Sequence, residues 1–73
     1  MAQEIIEVPI TGKIISIEVK TGDEVQESDV ICYIESMKME NPILTPVTGK
    51  VMDIQVSVGE VVENGKVIAI IEY

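Results

Sequence analysis

Between Lys13 and Val19 the apolar residues Ile15, Ile17 and Val19 alternate with Ser16 and Glu18, the period-two signature of a strand with one buried face. The same reading makes Glu4–Val8 a short strand closed by Pro9, a residue suited to a strand end. Thr11-Gly12-Lys13 and Thr21-Gly22-Asp23 read as turns, with Gly22 available for positive φ. A short extended segment around Val25 leads through Glu27-Ser28-Asp29 into a strand over Val30–Glu35. Glu40–Leu44 is extended and restricted by Pro42 and Pro46. No 3.6-residue periodicity competes anywhere, so the pattern predicts an all-β chain.

The pattern then repeats. Shifted by 37 positions, Pro9 meets Pro46, Thr11-Gly12-Lys13 meets Thr48-Gly49-Lys50, and Ile17, Val19, Gly22 and Val25 meet their own kind. Val30-Ile31 meets Val67-Ile68, and Ile34-Glu35 meets Ile71-Glu72. Residues 9–35 against 46–72 give 12 identities in 27 pairs. Two such copies are too few for a solenoid, which needs at least three stacked units. Each has a half-buried face to cover, so the expected fold packs the copies face to face about a pseudo-twofold axis. The result is a flattened β-barrel or sandwich of roughly eight short strands. Residues 1–73 are expected to form a single domain with internal repeats at about 9–35 and 46–72.

Composition reinforces the strand reading. The 73 residues include 13 Ile and 11 Val against one Leu, with no Phe or Trp. β-branched side chains pack well on pleated surfaces and lose helix propensity. The formal charge of −8, with five Lys and no Arg, disfavours nucleic acid and anionic membrane surfaces as partners. No apolar run reaches the roughly 18 residues of a membrane span, which argues against direct membrane insertion, and the acidic start is no signal peptide. The single Cys32 lies in an apolar run as a small buried hydrophobe, which fits a reduced, cytoplasmic setting.

Candidate chemistry concentrates in Glu35-Ser36-Met37-Lys38-Met39-Glu40, at the joint between the copies. Carried by 37 positions, Lys38 falls on residue 1 in one direction and just beyond Tyr73 in the other. Its symmetry counterpart is therefore the place where the chain begins and ends, and the lysine should project from the opposite end. If 31–36 pairs with 39–44, Met37 and Lys38 form the centre of a two-residue hairpin. Such turns favour Asn-Gly because both central residues need positive φ, and a local rule broken at a loop tip marks functional constraint. An exposed amine there can attack an activated carboxyl group and form an amide. Packing beneath the hairpin would be the ordinary role for Met37 or Met39. With no His, no Arg and one Cys, neither catalysis nor metal binding has a residue set to carry it. The chain reads as a substrate for enzymes.

These residues resemble the biotinyl/lipoyl-attachment domain family, and within it the biotin carboxyl carrier type. Ser36-Met37-Lys38-Met39 matches the family's Ala/Ser-Met-Lys-Met motif, Gly22-Asp23-x-Val25 matches the segment before it, and Pro9–Gly12 and Pro46–Gly49 match its Pro-x-x-Gly patterns. The likeness runs from about Ile6 to Glu72. It implies two four-stranded antiparallel sheets with pseudo-twofold symmetry, a barrel-sandwich hybrid with the biotin lysine on a tight hairpin. It implies further that biotin protein ligase attaches biotin covalently to Lys38, with Met37 and Met39 as the flanking motif. The arm would then carry a carboxyl group between biotin carboxylase and a carboxyltransferase or decarboxylase subunit. The domain itself would be a non-catalytic carrier of a biotin-dependent carboxylase, decarboxylase or transcarboxylase.

Ser28 departs from the family's pattern, standing where a glycine usually precedes the first-half Asp, whereas Gly65 keeps it in the second half. There is also no room for the thumb insertion of some bacterial acetyl-CoA carboxylase carriers. The rivals are a lipoyl carrier of a 2-oxo acid dehydrogenase or glycine-cleavage system, and a non-carrier binding module. Lipoyl members tend to carry Asp-Lys-Ala, which Met-Lys-Met does not match.

Overall fold

A computed structural model describes all residues from Met1 to Tyr73 and contains only strands. In chain order these are β1 (Gln3–Glu7), β2 (Gly12–Ile17), β3 (Glu24–Val25), β4 (Val30–Ser36), β5 (Met39–Leu44), β6 (Gly49–Ile54), β7 (Val61–Val62) and β8 (Val67–Glu72). They form two four-stranded antiparallel sheets, in the orders β1-β8-β6-β3 and β5-β4-β2-β7. The molecule measures 36 × 18 × 17 Å.

The 37-residue shift maps the first sheet onto the second strand for strand. Lys13 pairs with Glu35 as Lys50 pairs with Glu72, and Gly12 pairs with Val62 as Val25 pairs with Gly49. The loops obey the same operation. Gly22 N–H donates to the Val51 carbonyl at 2.8 Å, and Gly59 N–H donates to the Ile14 carbonyl at 2.7 Å. The symmetry also reaches beyond the segments visible in sequence. Cys32 pairs with Ile43 as Ala69 pairs with Ile6, so β5 and β1 correspond although Ile6/Ile43 is their one identity.

One expectation needs correction. The copies do not lie face to face as separate halves, because each sheet takes two strands from each copy. Interleaving lets the backbone edges of one copy hydrogen-bond to the other. The two four-stranded antiparallel sheets are as expected, and of the flattened barrel or sandwich they form the sandwich, because they do not close. The edges are the two-residue strands β3 and β7 and the outer strands β1 and β5, and no ladder joins the sheets. Pro42 lies on β5, an edge strand, where its missing N–H removes no ladder bond.

Fourteen buried residues fill the space between the sheets, nearly all Ile and Val. The simple alternation expected over 13–19 fails here. Ile14 is fully buried while Ile15 is only half-buried, because the register shifts between Ile14 and Ser16. Met52 sits at the matching shift in β6. A bulge turns one residue out of phase and bends the strand. Matching shifts beside Ile31 and Ile68 place two consecutive side chains, Ile31-Cys32 and Ile68-Ala69, in the core.

The one buried polar residue is Thr45, in the place Val8 holds in the first copy. Its hydroxyl donates to the Val47 carbonyl at 2.7 Å and accepts from Val47 N–H at 3.2 Å, so burial leaves nothing unsatisfied.

Ser28 adopts φ 77°, the left-handed conformation that Gly65 adopts at φ 96° in the second copy. The Ser28 turn is kept because its N–H donates to the Thr45 carbonyl and Gln26 N–H donates to Asp29. A non-glycine residue in this region costs about 1–2 kcal/mol, part of which glycine returns through its unfolded-state entropy. Ser28→Gly is therefore expected to raise stability by about 0.5–1 kcal/mol in chemical denaturation. A lower denaturation midpoint would show that the Ser28 side chain makes a stabilising contact.

Candidate modification site

β4 and β5 form a hairpin whose last pair is Ser36–Met39, leaving Met37 and Lys38 as its two-residue turn. Their φ values are 55° and 64°, so both occupy the left-handed region. A two-residue link needs this hand to match the twist of its strands. Neither side chain is a residue that favours it, so the turn is strained by roughly 1 kcal/mol or more per position. The ladder beneath over-determines it, running unbroken from Cys32–Ile43 to Ser36–Met39. Asn41 adds a hydrogen bond from its side-chain amide to the Met39 carbonyl at 3.1 Å.

Lys38 is exposed, and no hydrogen bond of the structure engages its amine. Met37 and Met39 are 92 % and 66 % exposed, so neither packs under the hairpin as their ordinary role would require. Two apolar side chains therefore stand in water on either side of a free amine. Glu35 and Glu40 face each other directly across the hairpin, one residue below the turn, with Lys13 next along from Glu35. Like charges directly opposite destabilise a ladder. The acidic flanks of the motif are visible in the sequence, and the pairing of 31–36 with 39–44 brings them opposite each other.

The symmetry places the open end of β1 and β8 as the tip's counterpart. Ala2 and Tyr73 exchange two backbone hydrogen bonds of 2.9 Å, as the last pair of an unclosed hairpin. The termini thus meet where the twofold would otherwise set a second turn.

Other reactive groups are buried or scattered. Cys32 is fully buried, and burial pushes its thiol up to about 11. The neutral thiol is favoured in the folded state, so its stabilising effect is complete below the unfolded value of 9.0 and lost as pH rises from there towards 11. The fall in urea midpoint between pH 8 and pH 11 should therefore be steeper for the wild type than for Cys32→Ala. Parallel curves would show that the thiol does not titrate within that window. Ala69 holds the same core position in the second copy, so the substitution has a precedent in this fold. No group of His, Cys, Asp or Glu is arranged to hold a metal, and no helix is long and apolar enough to cross a membrane.

A two-sheet β-sandwich with an exposed lysine at the centre of a hairpin turn is of the carrier-domain class. The particular family follows from comparison with known proteins. The chain belongs to the family described as biotin-requiring enzyme, which matches residues 4–71.

Over 39 residues it is 46% identical to the glutaconyl-CoA decarboxylase subunit gamma of Acidaminococcus fermentans, an alignment covering 53% of this chain and 27% of that subunit. Over 33 residues it is 52% identical to the propionyl-CoA carboxylase alpha chain of Ruegeria pomeroyi, covering 45% of this chain and 5% of the relative. Both relatives are thus much longer than the stretch they share. Kluyveromyces lactis urea carboxylase contains a similar structure, with TM-score 0.91 and 30% identity, covering 99% of this chain and 6% of that one. A single-chain, multi-domain long-chain acyl-CoA carboxylase superposes with TM-score 0.88 at 18% identity over 93% of this chain and 7% of its own, a likeness of fold alone.

Proposed function

We propose that biotin is attached to the Lys38 amine by biotin protein ligase, and that the domain carries a carboxyl group between a biotin carboxylase site and a carboxyltransferase or decarboxylase site. The observation that supports this most directly is the free, exposed amine held at φ 64° between two exposed methionines at the joint of the repeat. The Ser36-Met37-Lys38-Met39 motif supports biotin over lipoate, and the match to the family described as biotin-requiring enzyme supports the use of biotin.

The residues fit the group. A primary amine engaged by no partner is the one donor an acyl transfer needs, and the hairpin holds it clear of the sheets. Its nitrogen attacks the activated carboxyl carbon, an amide bond forms, the leaving group departs with its electron pair, and the amine proton passes to a base of the ligase. Bound biotin would supply the acceptor atom for a carboxyl group. The domain's own contributions are to orient the arm through a turn the ladder fixes, and to keep it beside its partner enzymes. Tethering raises local concentration to the order of mM, so successive encounters need little affinity of their own. Buried Cys32, which has no disulfide partner, suits a cytoplasmic setting.

Intact mass after incubation with biotin protein ligase, biotin and ATP is expected to show one biotinyl adduct per chain. The same chain with a lipoyl ligase is expected to stay unmodified. A lipoyl adduct in place of biotin would assign the domain to the 2-oxo acid dehydrogenase class of carriers.

A further inference from the structure

Asn41 is out of place by polarity. It stands directly opposite Ile34, and opposite residues of an antiparallel ladder share a face. It therefore belongs to the core side of β5, with Ile43 two residues on. Ile34 and Ile43 are buried there, and Asn41 is half-buried. Among the buried residues of the domain only Thr45 is polar, so the core side of a strand is an apolar setting. The Asn41 side chain answers with two donations. Its Nδ2 donates to the Met39 carbonyl at 3.1 Å, and across the hairpin to the Ile34 carbonyl at 3.4 Å. One amide thus ties the residue that follows Lys38 to the strand that precedes the turn.

The internal twofold shows that the ladder itself does not need this tie. The counterpart of Asn41 is Glu4, which stands opposite Ile71 on β1 as Asn41 stands opposite Ile34. A carboxylate only accepts hydrogen bonds and cannot bridge two carbonyls. Glu4 takes part in no side-chain hydrogen bond at all. Yet β1 and β8 stay paired out to Ala2 and Tyr73. The tie occurs only at the end where a turn closes the hairpin, and that turn holds two non-glycine residues at positive φ.

Resting on the reading of Lys38 as the biotin acceptor, we infer that Asn41 is a positioning residue for that acylation, its amide holding the Met37-Lys38 turn in the left-handed form that presents the amine. The left-handed region is unfavourable for both residues, so the turn has alternatives at ordinary φ to relax into. Each alternative changes the direction of the Lys38 Cα–Cβ bond. A ligase that accepts one direction meets only the fraction of chains that hold it. A fall in that fraction raises the apparent dissociation constant in inverse proportion and leaves the rate of the bound complex as it was.

The test compares Asn41→Leu with the wild type. Leucine keeps the branched outline and suits the core side, so the thermal midpoint should not fall. Steady-state biotinylation by purified ligase, biotin and ATP should show KM for the domain raised several-fold with kcat unchanged. The ceiling is the roughly tenfold by which one or two lost hydrogen bonds shift a two-state turn. In NMR of the unmodified domain, Met37 and Lys38 should lose much of the strong intraresidue amide–Hα NOE that positive φ produces. Asn41→Asp, which keeps the outline and removes the donors, should change KM and the NOEs in the same direction. Glu4→Leu, at the opposite end, should leave both at wild-type values. A wild-type KM for Asn41→Leu or Asn41→Asp overturns the positioning role, as does a raised KM for Glu4→Leu. A raised KM with undiminished NOEs overturns it too, by making Asn41 a direct contact of the ligase. A wild-type chain that accepts no biotin overturns the reading of Lys38, and the NOE comparison, which needs no ligase, still decides whether Asn41 holds the turn.

Discussion

Lys38→Arg is expected to abolish biotinylation completely while leaving the thermal midpoint of the domain unchanged. Arginine keeps the length and the positive charge, but its guanidinium stays protonated at any accessible pH and offers no free amine electron pair. Position 38 is exposed and engaged by no hydrogen bond, so the folded domain has nothing to lose there. Lys13, Lys20, Lys50 and Lys66 remain in the variant and are all exposed. Exposure alone therefore does not select the site. What separates Lys38 is its backbone: Lys13 and Lys50 lie within strands on the flat outer faces, where an amine cannot enter a deep active site. Lys20 and Lys66 stand at the corners of the Thr21-Gly22 and Asn64-Gly65 turns and are not their central residues. Lys50→Arg should accordingly label at the wild-type rate. Any biotin detected by intact mass on Lys38→Arg would move the acceptor to another lysine and separate the motif from the chemistry.

The turn around Lys38 was legible in the sequence because three signals coincided at one position: the motif, the joint of the repeat, and turn residues wrong for a two-residue hairpin. The positive φ values of Met37 and Lys38 show the last signal to be physical, since a left-handed turn built from Met-Lys is held by its ladder. Strand positions were legible for a similar reason, because β-branched runs and Gly- or Pro-containing turns sit where the strands and links fall.

Three things were not legible. Phase along a strand depends on bulges, and nothing in Lys13-Ile14-Ile15-Ser16 says which isoleucine is turned out; cross-strand pairing decides it. Which copy supplies which strand is likewise a pairing question, so equal halves packed face to face and interleaved sheets share one hydrophobic pattern. Exposure of Met37 and Met39 was invisible because methionine is ordinarily a packing residue.

The largest stability effect is expected at two glycines that need no positive φ. Thr11-Gly12-Lys13 reads as a turn in sequence, yet Gly12 begins β2 and Gly49 begins β6. Their requirement is steric. A Cβ on Gly12 would meet the Glu35 carbonyl oxygen and stand 2.6 Å from Ile34 Cγ2; on Gly49 it would meet the Glu72 carbonyl oxygen and stand 2.9 Å from Ile71 Cγ2. The carbonyls belong to the central strands β4 and β8 and cannot swing aside as a flexible side-chain end could. Strands must part, and overpacking of this kind costs about 3 kcal/mol. Against a total of about 5–15 kcal/mol for a native domain, that is a large share of the stability of 73 residues.

Gly12→Ala and Gly49→Ala should both lower the denaturation midpoint by similar amounts, as the symmetry requires. Their effects on labelling should differ. Gly12 presses on Ile34-Glu35, the segment that feeds directly into the Lys38 turn, whereas Gly49 presses on Ile71-Glu72 beside the termini. At a temperature where both variants remain folded, Gly12→Ala should be biotinylated more slowly than wild type and Gly49→Ala at the wild-type rate. Equal labelling of the two would show that the turn fixes the lysine by itself, without support from β2 below it.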